Sequence, residues 1–106
     1  MITVKIGQAD REWTSLDDVQ ESWIAQQIAD RYRAGQPVCV FVRITTPGVD
    51  VSMVAGQCQP SYGGGGRLPN QDERKILELW AERTGRNGHV DPGDVISFFK
   101  HLRRLV

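Results

Sequence analysis

The stretch Pro37-Val-Cys-Val-Phe-Val-Arg-Ile-Thr-Thr-Pro-Gly-Val-Asp-Val-Ser-Met-Val-Ala55 constrains this 106-residue chain more than any other part of it. On an extended backbone Val38, Val40, Val42 and Ile44 share one face, and Cys39, Phe41 and Arg43 share the other. The first set is β-branched and suits a buried pleated surface. The second stays apolar as far as Phe41, which is the pattern of a central strand covered on both sides. Thr46-Pro47-Gly48-Val49 supplies a tight turn: proline sets φ at its first central position, and glycine accepts positive φ at the second. Val49, Val51, Met53 and Ala55 form the inner face of the returning strand, with Asp50, Ser52 and Gln57 in water.

The remaining elements read as cover for this hairpin. Ile2, Val4 and Ile6 alternate with Thr3, Lys5 and Gly7 as a half-buried first strand, and Gln8 to Thr14 is polar and turn-like around Trp13. Trp13 is either a hydrophobic staple onto the following helix or an exposed anchor. Ser15 and Asp18 open a helix expected to run from Leu16 to Ala34, closed by Gly35 and Pro37, with Leu16, Val19, Trp23, Ile24 and Ile28 as its apolar stripe. A strand, a helix and a strand in succession invoke the right-handed crossover. The first strand is therefore placed parallel to residues 38 to 44, in sheet order 1-2-3. The alternative sets it against the third strand, all antiparallel.

Asn70, with Glu73 at the reciprocal capping position, starts a second helix bearing Ile76, Leu77, Leu79 and Trp80 and ending at Gly85. Asp91-Pro92 starts a third, with Val95, Phe98, Phe99, Leu102 and Val106 as its stripe. The expected fold is α+β: a small three-stranded β-α-β-β sheet followed by a C-terminal pair of helices around a single core. The first helix covers one sheet face, and the pair covers the face with Cys39 and Phe41. One domain spans 1–106: sheet and first helix in 1–58, a glycine-rich loop in 59–69, and the helical pair in 70–106.

Thirteen basic residues balance thirteen acidic ones, so no global field steers the chain to nucleic acid or a membrane. No apolar run approaches the roughly 20 residues of a membrane-spanning helix. The N-terminus opens directly as a strand, with none of the features of a signal peptide. A cytoplasmic location is the expectation. Under that expectation the two cysteines, Cys39 and Cys58, read as thiols: a disulfide between the arms of the hairpin is conceivable, but such bonds are uncommon in a reducing compartment. Their spacing matches neither a metal motif nor a Cys-x-x-Cys pair.

Four consecutive glycines are costly to order, so Gln57 to Asn70 is either a tether or a backbone that approaches something closely. Tyr62, Gly63, Gly64, Gly65, Gly66, Arg67 and Leu68 are the candidate binding residues, with Tyr62 and Leu68 as flanking anchors. The loop lies before a helix N-terminus, which suits a phosphorylated ligand. It has neither G-x-G-x-x-G spacing nor a following Gly-Lys-Ser/Thr. Lys100, His101, Arg103 and Arg104 form a basic strip that could meet a nucleic-acid backbone, although cations also belong in the last turns of a helix. His89, His101, Ser61 and Cys58 have no partner spacing that signals catalysis or metal binding. The sequence-based expectation is a non-catalytic intracellular protein-binding or regulatory adaptor, monomeric or weakly dimeric, with no cofactor and no metal. Nucleic-acid binding through the last helix, or a phosphorylated ligand at the glycine loop, is the alternative.

Overall fold

The structure is a computed structural model that describes residues 1–58, 68–84 and 89–105. Strands β1 (Ile2–Ile6), β2 (Ala9–Trp13), β3 (Cys39–Thr46) and β4 (Val49–Gly56) form one antiparallel sheet in the order β2-β1-β3-β4. Three helices accompany it: α1 (Glu21–Arg33), α2 (Gln71–Thr84) and α3 (Pro92–Leu105). The class is α+β, as expected; the strand number, order and direction differ.

The difference begins at β2. Ala-Asp-Arg-Glu-Trp reads as loop because its centre is charged, yet it pairs with β1 from Ile6 opposite Ala9 to Ile2 opposite Trp13. Gly7, at φ 62°, makes the two-residue turn possible. Charge is a normal property of an edge strand, where it discourages pairing with other chains. The extra strand also returns the chain to the starting end of β1. Helix α1 then carries it back, so β3 enters antiparallel to β1, with Ile2 opposite Ile44 and Ile6 opposite Val40. The parallel crossover is overturned for that reason. The β3–β4 hairpin follows expectation, with Thr46 opposite Val49 and Gly48 at φ 87°.

Among the described residues, all three helices pack on one face of the sheet. Ile2, Val4 and Ile6, then Val40, Val42 and Ile44, then Val51, Met53 and Ala55, join Ile24, Ile28, Ile76, Trp80, Phe98, Phe99 and Leu102 in one buried cluster. On the opposite face Lys5, Asp10, Glu12, Arg43 and Ser52 are exposed, while Cys39 and Phe41 are only half-buried. The expectation of helices on both faces therefore fails. Four strands offer a single face wide enough for all three helices, and the polar alternation of β1, β2 and β4 suits the other face to water.

Two local details follow from packing. The helix expected from Leu16 is broken into a 3₁₀ turn, Leu16–Asp18, and α1, because Val19 adopts an extended backbone and turns its side chain into the core. Trp13 is buried at the end of β2, edge-on to Trp23 at 5.8 Å, while the Arg11 guanidinium lies over the Trp23 ring. Trp13 thus acts as a packing residue. The α3 start is as read: Asp91 Oδ1 accepts the Gly93 N–H at 2.8 Å.

A pinned helix start beside the hairpin turn

Glu73 lies at the centre of the candidate surface. This residue is 1% exposed, yet it carries a carboxylate, so both oxygens need donors. Oε1 accepts the N–H of Asn70 at 2.8 Å, and Oε2 accepts the N–H of Asp50 at 2.7 Å. Asn70 Oδ1 in turn accepts the N–H of Glu73 at 2.8 Å, completing the reciprocal cap that the Asn70/Glu73 spacing implies. Asn70 Nδ2 donates to Gly48 O at 2.8 Å, fastening the helix start to the β3–β4 turn. Two turns further on, Trp80 Nε1 donates to Val54 O at 3.0 Å. Helix α2 therefore runs along the outer edge of β4 and uses side chains to satisfy its outward backbone groups.

A groove of about 340 Å³ opens where these parts meet, lined by Thr45, Thr46, Val49 and Asp50 of the hairpin with Asn70 and Glu73 of the helix. Leu68 stands two residues before the cap and is 82% exposed. Tyr62, Gly63, Gly64, Gly65, Gly66 and Arg67, the other candidate binding residues, lie outside the described residues, as do Gly85 and Val106. Cys58 and Asn70, which flank the glycine segment, sit at opposite ends of β4: Cys58 follows Gly56, and Asn70 is bonded to Gly48.

The basic strip of α3 divides. Lys100 and Arg104 are exposed. Arg103 donates to Glu21 Oε1 at 2.8 Å and to Leu16 O at 3.2 Å, closing α3 onto the start of α1. His101 is half-buried; its Nδ1 lies 2.8 Å from Ser97 O and its Nε2 lies 3.0 Å from Arg83 Nη2. Ser97 O can only accept and the Arg83 guanidinium can only donate, so the ring donates from Nδ1 and accepts at Nε2. His89 stacks on Tyr32, whose hydroxyl bonds both the N–H and the carbonyl of Val90 at 2.9 Å. That clamp ties α1 to the segment entering α3.

The two cysteines are joined: Cys39 and Cys58 form a disulfide with Cα atoms 4.9 Å apart. The reading of two thiols is corrected. A reducing compartment favours thiols, but Cys39 lies opposite Gly56 in the ladder, which brings Cys58 within bonding reach. Among the described residues no three metal-ligating side chains converge, and no helix is long and apolar enough to cross a membrane. Comparison with protein-family models, curated proteins and solved structures finds no match to this chain.

Proposed function

We propose that the protein is a non-catalytic binding module for a protein partner, with contact made at Leu68 and the adjoining start of α2. A single exposed leucine is ordinary on a protein surface. What supports the reading is that Leu68 precedes a helix start held by Asn70–Gly48, Asn70–Glu73 and Glu73–Asp50 bonds, and so is presented from a rigid frame. A backbone fixed beside an apolar anchor leaves less conformational freedom to lose on binding, which favours affinity.

The same geometry disfavours a phosphorylated ligand at this helix. The first-turn N–H of Glu73 is already bonded to Asn70, and the buried Glu73 carboxylate sits where an anion would approach. A nucleic-acid reading keeps only Lys100 and Arg104 of its four residues free of the internal contacts described above, since His101 and Arg103 are engaged within the fold.

The test is affinity capture from lysate, with and without nuclease, using three baits: wild type, Leu68→Asp, and the Lys100→Ala/Arg104→Ala double variant. The reading expects one protein captured by wild type and the double variant and lost with Leu68→Asp, with all three baits equally folded by circular dichroism. Capture unaffected by Leu68→Asp, or abolished by nuclease, would refute it.

A further inference from the structure

We propose that Cys39 and Cys58 form a redox modification site, a disulfide that a dithiol reductant opens and a disulfide oxidant recloses while the fold stays intact. Three observations carry this. First, both cysteines are half-buried, Cys39 on the sheet face that none of the described helices covers, and neither belongs to the buried core. Sulfur placed there can be approached from solvent, as thiol–disulfide exchange requires.

Second, the bond repeats a connection that the backbone already makes. Cys39 faces Gly56 at the end of an eight-pair ladder, and the Gln57 N–H donates to Val38 O at 2.8 Å. Opening the disulfide leaves β3 and β4 joined by that ladder and leaves the helices in contact with the opposite face.

Third, the reduced state has a partner waiting. Cys58 Sγ lies 3.3 Å from Ala55 O. A disulfide sulfur has no proton to donate, whereas the Cys58 thiol would donate to that carbonyl without moving.

A thiolate of the reductant attacks Cys58 Sγ, forms a mixed disulfide and expels Cys39 as thiolate, which takes a proton from water. The reductant's second thiolate then attacks its own sulfur in the mixed disulfide, closes an internal disulfide and releases Cys58, protonated in turn. The protein gains two electrons and two protons, and the dithiol loses the same. In a reducing compartment such a pair is a redox sensor, since disulfides there are usually transient.

The experiment treats the oxidised full chain with dithiothreitol in native buffer, quenches with iodoacetamide, and follows mass and the amide spectrum. The expected result is alkylation of both cysteines at a rate unchanged by sub-denaturing urea. The reduced spectrum should stay dispersed, with shifts confined to residues around Cys39, Gly56 and Cys58, and oxidised glutathione should restore the disulfide. The Cys39→Ser/Cys58→Ser variant should also unfold cooperatively. Reduction only at urea concentrations that unfold the chain, or loss of dispersion on reduction, would make the bond a structural staple. Failure to reclose would equally overturn the proposal.

Discussion

Glu73 on α2 accepts the Asp50 N–H on the outer edge of β4 at 2.7 Å, and through that bond a buried carboxylate closes a strand edge that would otherwise be open to another chain. Glu73→Ala should destabilise the protein by about 3 kcal/mol, because two part-buried hydrogen bonds to a charged acceptor are lost. Glu73→Gln keeps one acceptor and should cost less. Urea unfolding of the two variants checks both the size and the order.

Trp80 is the second fastening of the same edge. Trp80→Phe preserves a ring against Phe98, whose centroid is 4.9 Å away, and removes only the Nε1 bond to Val54 O. The expected loss is about 1 kcal/mol. Trp80→Ala should cost roughly 3–5 kcal/mol, since it also opens a cavity. Faster amide exchange along β4 in Trp80→Phe would mark edge protection as the mechanism.

Two glycines at positive φ should respond differently to alanine. At Gly56, φ 91°, an added Cβ would lie 2.3 Å from Val38 O and 2.6 Å from a Val90 methyl. At Gly48, φ 87°, it would meet nothing within 4 Å. Both substitutions carry the backbone cost of left-handed geometry, roughly 1–2 kcal/mol, but only Gly56→Ala adds a clash with main chain. Thermal unfolding should rank Gly56→Ala well below Gly48→Ala.

Neighbouring arginines of α3 should separate in the same way. Arg103→Ala breaks the bonds to Glu21 and Leu16 O and should cost about 1.5 kcal/mol. Arg104→Ala, at an exposed position, should stay within about 0.5 kcal/mol of wild type. Equal effects in chemical denaturation would contradict the division of the strip into structural and free cations.

The disulfide should matter for global stability even if the fold survives without it. Cross-linking residues 19 apart restricts the unfolded chain, and the expected difference between oxidised and reduced protein is about 3 kcal/mol. Denaturant midpoints with and without reductant measure it.

Much of this architecture was legible from residue pattern. The β3–β4 hairpin followed from alternation plus Pro47-Gly48, and the α2 cap from Asn70 and Glu73, because both signals are local and each names its own hydrogen bonds. What escaped was set by tertiary partners. Asp10, Arg11 and Glu12 look like loop until β1 lies alongside, and that one strand reversed the direction of β3. Cys39 and Phe41 suggested a second covered face, but how many layers a sheet receives depends on its width, which the missing strand had understated. Glu73 read as a capping residue; its bond to Asp50, 23 positions away, has no local signature. The basic run at the end of α3 could not reveal that Arg103 turns back to Glu21. A hint of the disulfide was present, since the turn at Pro47-Gly48 brings residues 39 and 58 close together.

The central claim, that Leu68 on its pinned frame contacts a protein partner, is tested most directly by placing a photo-crosslinking amino acid at Leu68. The full chain is then irradiated in lysate of the source organism, with Glu82, exposed on α2, as the control position. The account predicts one recurrent protein adduct at position 68, absent at position 82 and unchanged by nuclease. No adduct at 68, the same adducts from both positions, or adducts to nucleic acid alone would contradict it.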